Sequence, residues 1–210
     1  NNMDRLQIKS INTWSDFFNK SYSLIIQQFY SQSINLTTCP ECNYNTINLD
    51  PVMIINLEFD STTESIYDCL NKYTEQFELD EENKWTCDKC KKQVQCQKKN
   101  KLWKLSPVVI FMIKQYVDNK NKIDKFIKYP KILNMENYCI NYKNECMNYE
   151  LQSMCIHIGG LGGGHYYAYC KMPNSKWYCF DDKRVEEIPA NSIVTPEAYM
   201  LFYVPKKYEI

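Results

Sequence analysis

The chain has 210 residues, 44% of them hydrophobic and 14% aromatic, which is enough for a sizeable core and excludes a disordered chain. Its 25 basic and 25 acidic residues leave no net charge that would favour nucleic acid or a membrane surface as a partner. The longest apolar run, 108–113, falls far short of the roughly 20 residues that span a bilayer. No signal-peptide core opens the sequence. Because it begins with Asn1 rather than Met, we expect an excerpt of a longer product.

Hydrophobic periodicity predicts two helices in the first half of the chain. Apolar residues at helical spacing predict a helix over 13–30 with one face on the core. That face comprises Trp14, Phe17, Phe18, Ile25, Ile26 and Phe29. Residues 61–64, Ser-Thr-Thr-Glu, have the pattern of a capping box and predict a second helix over 62–75. Strands are predicted at 52–59 and 94–99.

The second half of the chain is rich in predicted strands. Residues 102–116 form an apolar segment whose second half is rich in β-branched residues, which is typical of a buried strand. Further strands are predicted at 149–158, 165–172, 176–180 and 198–204, with turn signals between them.

Four of the eleven cysteines form two Cys-x-x-Cys pairs, Cys39 with Cys42 and Cys87 with Cys90. Two such turns aim four thiolates at one point, as a structural zinc site requires. A thioredoxin-type redox pair and four unrelated thiols are the alternatives, but two matched pairs in one chain favour zinc. We interpret the remaining seven as buried apolar residues in a reducing compartment. They are Cys69, Cys96, Cys139, Cys146, Cys155, Cys170 and Cys179.

The two histidines of the chain, His157 and His165, enclose all five of its glycines. The glycines suit a flexible hairpin loop or the close approach of another backbone. If the strand at His165 pairs with the next strand, Asp181 or Asp182 comes near its imidazole, as the base and the orienting carboxylate of a catalytic triad do. Strand alternation puts the two carboxylates on opposite faces, so we expect one direct partner. We interpret His157 as structural.

The order of several motifs is more specific than any of them alone. These motifs are the two Cys pairs, Leu-Ser-Pro-Val-Val-Ile at 105–110, Tyr129-Pro130, 149–159, Gly-His-Tyr-Tyr-Ala-Tyr at 164–169, Trp177-Tyr178, Phe180-Asp181-Asp182 and 198–203. In this order the chain resembles, over nearly its whole length, the ubiquitin-specific proteases, which are papain-like cysteine deubiquitinases.

The resemblance implies an α+β fold of the papain-like, ubiquitin-specific protease type, mainly antiparallel sheet with few helices. It implies one partial catalytic domain over 1–210, with a zinc-binding fingers subdomain at 39–99 and a palm formed by 1–38 and 100–210. Zinc would be a structural cofactor of the fingers. The location implied is intracellular, cytoplasmic and/or nuclear.

The resemblance also implies roles for individual residues. His165 would be the general base, Asp181 its orienting carboxylate and Asp182 a helper or substitute. The glycine loop would border a narrow channel for the Gly-Gly tail of ubiquitin, so ubiquitin or ubiquitinated proteins are the expected partners. The substrate-binding residues would be Gly159, Gly160, Gly162, Gly163, Gly164 and Tyr166.

One departure from the family pattern is large. The N-terminal segment that carries the family's nucleophile, roughly Gly-x-x-Asn-x-Gly-Asn-Thr-Cys-Tyr, does not occur in this sequence. The thumb, its cysteine and the oxyanion donor would then come from a segment outside these residues or from a separate chain, and the 210-residue chain alone is expected to be inactive. Cys155 and Cys170 lie near His165 in sequence, but their apolar strand patterns disfavour a nucleophilic role.

Two other functions remain open at this point. A catalytically inactive ubiquitin-binding or scaffold protein would fit the missing cysteine segment, although it would have no need for the histidine and aspartates. A zinc-ribbon module that binds nucleic acid is disfavoured by the zero net charge.

Overall fold

The computed structural model describes residues 2–19, 21–113, 125–140, 147–160 and 163–206. Within these residues the chain forms three helices and fourteen strands. The helices are α1 (Asn2–Phe18), α2 (Leu24–Phe29) and α3 (Ile66–Thr74). The strands are β1 (Ser31–Thr38), β2 (Asn45–Val52), β3 (Ile54–Leu57), β4 (Gln76–Glu78), β5 (Trp85–Thr86), β6 (Gln93–Val94), β7 (Gln97–Lys104), β8 (Val109–Ile113), β9 (Ile132–Asn134), β10 (Asn148–Gly160), β11 (Gly163–Lys171), β12 (Trp177–Asp181), β13 (Arg184–Ile188) and β14 (Ala198–Pro205).

The larger sheet has eight strands in the order β13-β12-β11-β10-β14-β8-β3, with β9 paired to β10 beside this path. Its neighbouring strands pair antiparallel, except that β3 and β8 are parallel. One face of this sheet, which we call the inner face, packs with α3 into the main core. Fully buried members of that core include Leu57, Ile66, Leu70, Phe111, Leu133, Leu151 and Tyr203.

The smaller sheet has four strands in the order β2-β1-β7-β4, all antiparallel. Its residues Ile34, Leu49 and Trp103 form a second apolar cluster, against which Leu6 of α1 packs. The ribbon of β5 and β6 lies along the chain between β4 and β7. The first cysteine pair thus lies between β1 and β2 of the smaller sheet and the second between β5 and β6 of the ribbon, whereas the histidines lie on the larger sheet.

The single helix predicted over 13–30 is wrong: α1 and α2 are two helices. The side chain of Ser23 caps α2 by accepting a hydrogen bond from the backbone N–H of Ile26, which starts a new helix after the break. Helix α1 also begins eleven residues earlier than expected. Its buried face includes Ser10, which hydrogen-bonds Gln32, and this polar residue hides the hydrophobic period.

The second predicted helix is present as α3, but its cap is not the predicted one. The capping box is formed by Ser65 and Asp68: the Asp68 N–H donates to the Ser65 hydroxyl, and the Asp68 carboxylate accepts from the Ser65 N–H. The predicted box residues 61–64 instead form a turn around Asp60, whose carboxylate accepts hydrogen bonds from the N–H groups of Thr62 and Thr63. Helix and turn propensities overlap in such serine- and threonine-rich stretches.

Most of the predicted strands are present with shifted ends. The strand predicted at 52–59 is divided into the end of β2 and β3, and the buried strand predicted within 102–116 is β8. The last four predicted strands correspond to β10, β11, β12 and β14, whereas β1, β4, β5, β9 and β13 were not predicted. The mainly antiparallel α+β architecture with few helices is confirmed. No helix in the described ranges is both long and apolar enough to cross a membrane.

Candidate active site and metal centre

The hairpin of β10 and β11 carries both histidines. Its register pairs Ile158 with His165 and His157 with Tyr166. Because side chains alternate along a strand, His165 lies on the inner face with Tyr167, which packs against the core, and His157 lies on the outer face. His165 is at the open end of the inner face, where half of its side chain is exposed.

Strand β12 brings a carboxylate to this histidine. The register pairs Ala168 with Phe180, so Asp181 is on the same face as His165. The Nε2 atom of His165 lies 2.5 Å from Oδ1 of Asp181. The contact predicted from the sequence is therefore present, and the predicted pairing of these two strands is confirmed.

The second carboxylate is closer to His165 than simple alternation predicts. Asp182 leaves the ladder at the turn into β13, with a φ of 50°. One oxygen of Asp182, one oxygen of Asp181 and a ring nitrogen of His165 all lie within 4.8 Å of one another. The expectation of one direct partner holds in that Asp181 makes the hydrogen bond, while the left-handed backbone of Asp182 brings its own carboxylate close to the imidazole.

These carboxylates determine the electrostatics of the imidazole. The hydrogen bond and the charge of Asp181 raise the pKa of His165 above its ordinary value, and the charge of Asp182 adds to the increase. With Nε2 committed to Asp181, Nδ1 is the nitrogen left for proton transfer. The arrangement holds an imidazole in one orientation and strengthens it as a base.

Gly159, Gly160, Gly163 and Gly164 belong to the paired strands of the hairpin rather than to a long loop. Strand β10 runs through Gly160 and β11 begins at Gly163, so the six-residue loop predicted at 159–164 is wrong. Gly159 has a φ of 112°, and a Cβ there would lie 2.7 Å from the carbonyl oxygen of Gly163. Gly162, predicted to bind substrate, lies outside the described residues.

His157 explains why Gly164 has no side chain. A Cβ at Gly164 would collide with Nε2 of His157, which is buried on the outer face. The ring of His157 stacks on Tyr166, with 4.4 Å between the centroids, and contacts Tyr199 on the neighbouring strand. The structural role predicted for His157 agrees with this packing. The substrate-binding role predicted for Tyr166, which is exposed on the same outer face, stays a prediction.

Two cysteines near His165 in sequence point away from it. Cys155 pairs with Ala168, and Cys170 is one residue past Tyr169, so alternation places both thiols on the outer face. Burial raises the pKa of each thiol, which disfavours the nucleophilic thiolate. Neither cysteine is placed to exchange a proton with His165.

The four cysteines of the two pairs converge. Their sulfur atoms all lie within 4.8 Å of one another, with 3.8 Å between Cys39 and Cys90 and 3.7 Å between Cys42 and Cys87. Zinc bonds to thiolates of about 2.3 Å place the sulfurs of a tetrahedral site about 3.8 Å apart. Both pairs fit a single zinc ion, which would act on the fold alone because four protein ligands fill its coordination.

The two Cys-x-x-Cys turns have the same backbone design. In the first, the Cys39 N–H donates to the Tyr44 carbonyl and the Asn43 N–H donates to the Cys39 carbonyl. In the second, Cys87 makes the corresponding pair of bonds with Lys92 and Lys91. Asn43 and Lys91, at equivalent positions, have positive φ values of 53° and 60°.

Local groups also favour the ionised form of one ligand. Burial raises the pKa of the Cys87 thiol, whereas the backbone N–H groups of Lys89 and Cys90 and the neighbouring thiols lower it, to a net value of about 7. A salt bridge of 2.6 Å between Lys92 and Glu41 joins the two turns. No local sequence signal indicates this pair, because its members are 51 residues apart in the chain.

Several solved structures have the same fold. The chain aligns with the SAGA DUB module Ubp8/Sgf11/Sus1/Sgf73 bound to monoubiquitin at a TM-score of 0.77 and 27% identity, covering 90% of this chain and 43% of that one. The yeast SAGA DUBm with an Sgf73 mutant gives a TM-score of 0.78 at 27% identity, covering 92% and 44%. The papain-like fold of ubiquitin-specific proteases is thereby confirmed.

Curated relatives are similar in sequence. Ubiquitin carboxyl-terminal hydrolase 10 of Arabidopsis thaliana is 38% identical over 144 residues, which are 66% of this chain and 16% of that protein. Ubiquitin carboxyl-terminal hydrolase 2 of Gallus gallus is 30% identical over 203 residues, 93% of this chain and 57% of that protein. The probable hydrolase R319 of Acanthamoeba polyphaga mimivirus is 30% identical over 213 residues, 96% of this chain and 46% of that protein.

The family comparison covers almost the whole chain. The family model described as ubiquitin carboxyl-terminal hydrolase matches residues 2–203. The chain spans 57% or less of each of the three curated relatives named above, so their lengths extend well beyond the matched part. The chain belongs to the ubiquitin carboxyl-terminal hydrolase family.

Proposed function

We propose that this chain supplies the base, the orienting carboxylate and the ubiquitin-binding surface of a deubiquitinating cysteine protease. The observation that carries the proposal is the 2.5 Å contact between His165 Nε2 and Asp181 Oδ1. In such an enzyme the carboxylate fixes the imidazole while the other ring nitrogen receives the proton of the nucleophile. Membership of the family supports hydrolysis at the ubiquitin C-terminus as the reaction class.

The proposed reaction uses Nδ1 of His165 twice. Nδ1 accepts the proton of a cysteine thiol, and the thiolate adds to the carbonyl carbon of the bond after the last residue of ubiquitin. The imidazolium returns this proton to the departing amine, which leaves ubiquitin as a thioester. Nδ1 then accepts a proton from water, whose oxygen attacks the thioester, and ubiquitin leaves with a free carboxylate while the thiol reforms. Asp181 stabilises the imidazolium at each stage, with Asp182 as a helper.

The nucleophile in this proposal comes from a segment outside these 210 residues. Cys155 and Cys170 point to the outer face, so neither can serve the Nδ1 atom of His165. A segment joined to this chain or carried by a separate one would supply both the thiolate and the oxyanion donors.

The remaining proposals concern the body of the chain. We assign 39–99 to zinc-binding fingers and 1–38 with 100–210 to the palm, all within one partial catalytic domain. Strands β1 and β7 connect the fingers to the palm. Zinc held by Cys39, Cys42, Cys87 and Cys90 would stabilise the end of the fingers that is far from the palm. The cysteines described are free thiols, which suits a reducing intracellular compartment, cytoplasmic or nuclear.

A scaffold protein that binds ubiquitin without cleaving it is the second candidate. The observation that favours it is the orientation of Cys155 and Cys170, since a protein without a nucleophile has no need to aim a thiol at His165. The two candidates differ in whether adding a cysteine-bearing segment produces chemistry.

A ubiquitin probe with a thiol-reactive C-terminus separates them. The probe is offered to the chain alone, to the chain with the upstream segment encoded by its gene, and to that combination with His165→Ala. We expect no labelling of the chain alone, labelling of the combination, and loss of labelling with His165→Ala. Asn134→Ala is the matched control, because this exposed residue on β9 lies outside the proposed site.

Two outcomes contradict the proposal. Labelling of the chain alone that disappears with His165→Ala would show that one of its own cysteines is the nucleophile. Absence of labelling in the combination, with ubiquitin still bound, would establish the scaffold function instead.

A further inference from the structure

Strand β13 is the last strand of the larger sheet and is exposed along its length. It pairs with β12 on one side, and none of the described residues pairs with its other edge. Residues 184–187 are all exposed, and 54% of the surface of Val185 is accessible. An exposed strand edge is a template for the addition of another strand.

The turn before β13 determines which backbone groups face this free edge. Asp181 and Arg184 close a two-residue turn, in which the first and last residues hydrogen-bond each other. Hydrogen-bonding direction alternates along an antiparallel strand. The N–H and C=O groups of Arg184 and Glu186 therefore face β12, and those of Val185 and Glu187 face outward.

The charges on this edge are arranged symmetrically about Val185. The sequence Lys183-Arg184-Val185-Glu186-Glu187 has two cations before the valine and two anions after it. When a second copy of this segment is aligned antiparallel to the first about the valine, each cation of one copy lies opposite an anion of the other. We propose that two copies of this chain associate by pairing their β13 strands antiparallel, with Val185 opposite Val185 on the two-fold axis.

The backbone and the charges select the same register. Val185 has outward-facing groups in both copies, so the central pair can exchange two hydrogen bonds. Arg184 then lies opposite Glu186 of the second copy in a non-hydrogen-bonded pair, where side chains are closest. Lys183 lies opposite Glu187. Opposite charges across strands stabilise the pairing, and each contact occurs twice by symmetry.

The neighbouring registers place like charges together. A shift that centres the axis on Glu186 sets two glutamates face to face, and a shift to Arg184 sets two arginines face to face. Like charges directly opposite are destabilising. Within one copy Arg184 already pairs with Glu186 at 2.7 Å, so association would join two such pairs into a four-charge cluster.

Apolar surface on the outer face continues this edge. Val185 lies opposite Phe180 on β12, and both line a hollow with Met172, Pro173 and Tyr178. The Val185 side chain of a second copy would lie at the rim of this hollow and shield it from water. Because a pair of five-residue strands buries little surface, we expect a total buried area below about 1,200 Å², which is typical of transient interfaces.

The test is sedimentation equilibrium of the 210-residue chain at concentrations up to about 1 mM. We expect a monomer–dimer equilibrium in the wild type. Arg184→Glu and Glu186→Arg should each weaken it by about tenfold or more, since two attractive pairs become two like-charge pairs. An equimolar mixture of these two variants should associate again. In the mixed dimer the glutamate introduced at position 184 lies opposite the arginine introduced at position 186, and the native Arg184 lies opposite the native Glu186.

Further variants separate the interface from general charge and folding effects. Val185→Pro removes an outward N–H but no bond to β12, and it should also weaken the dimer. Glu78→Arg, a charge reversal at an exposed position on the edge of the smaller sheet, should leave the dimer unchanged. A wild-type chain that stays monomeric throughout, or single variants that fail to associate when mixed while both remain folded by circular dichroism, would overturn the proposal.

Discussion

Of the two ring nitrogens of His165, one has a hydrogen-bond partner among the residues that the structure describes. Asp181 fixes Nε2, and the nearby charge of Asp182 adds to the preference for the protonated form. A base whose pKa is raised in this way accepts the proton of a thiol more readily and stabilises the resulting thiolate–imidazolium pair. The residue therefore has the properties that the proposed chemistry needs, before any nucleophile is present.

Asp181→Asn tests the cause of this pKa shift. We expect the pKa of His165 to lie above about 6.5 in the wild type and to fall in the variant, because the hydrogen bond then lacks a charged acceptor. The stabilisation from the pair is complete below the unfolded pKa and is lost as pH rises through the raised folded value. NMR titration of the histidine Cε1–H signals measures the pKa of His165 in both proteins, with His157 as the internal reference. An unchanged His165 pKa in the variant would refute the assignment.

Gly164 and Gly160 provide a matched pair of alanine substitutions. A Cβ at Gly164 would meet the buried ring of His157, whereas none of the described atoms lies within 4 Å of a Cβ at Gly160. We expect Gly164→Ala to reduce the free energy of unfolding by about 1–3 kcal/mol through overpacking, and Gly160→Ala to change it little. Urea denaturation measures both. Equal effects of the two substitutions would contradict the packing described for His157.

Helix α3 is capped by Ser65 and not by Ser61, which is the serine of the predicted capping box. Ser65→Ala removes both side-chain interactions with Asp68, and we expect a loss of about 1 kcal/mol. Ser61→Ala should have little effect, because Ser61 is exposed and caps no helix. Thermal unfolding of the two variants compares them. A greater loss at Ser61 would show that the helix begins earlier than described.

The two Cys-x-x-Cys turns predict one zinc ion per chain. Elemental analysis of the purified protein should give a stoichiometry of one, and Cys87→Ser should lower it because a ligand is lost. The folded fingers should then become sensitive to proteolysis, since metal binding stabilises only the native state. Cys155→Ser is the control, because this half-buried thiol lies outside the cluster. Full zinc content in Cys87→Ser would show that these cysteines are not the ligands.

Local sequence signals predicted the elements whose packing agrees with them. The strands β10, β11, β12 and β14 have apolar alternation and clear turns, and the His165–Asp181 contact follows from their pairing. Polar burial hid other elements: β1 carries buried Ser31, Gln32 and Ser33, satisfied by partners distant in sequence, so its pattern does not look like a core strand. Exposed β13 has no apolar face to detect.

The site was predictable to the same extent. Short-range pairing located His165 and its carboxylate, but the approach of Asp182 depends on a positive φ that no motif indicates. The contact between His157 and Gly164 needed the outer face of the hairpin to be known. The convergence of the Cys pairs was predictable because their spacing repeats, while the Glu41–Lys92 bridge between them required the fold.

The larger sheet and the smaller sheet contribute to two different candidate sites of the molecule. The four-cysteine cluster lies where the turn between β1 and β2 of the smaller sheet meets the ribbon of β5 and β6, and the larger sheet holds the hairpins with His165 and Asp181. The proposed function needs both, because a ubiquitin held by the body of the chain must direct its C-terminus to the end of the inner face. The proposed function therefore requires that the tail of ubiquitin reaches His165.

The approach of the ubiquitin tail to His165 is tested by following the Cε1–H signal of His165 by NMR while ubiquitin is added to the chain. We expect intact ubiquitin to shift the His165 signal in a saturable way, while the buried His157 signal moves less. Ubiquitin without its two C-terminal glycines should bind and leave His165 unmoved. A His165 signal that does not respond to intact ubiquitin at saturation, or that responds equally to the truncated form, would show that the ubiquitin tail does not reach His165.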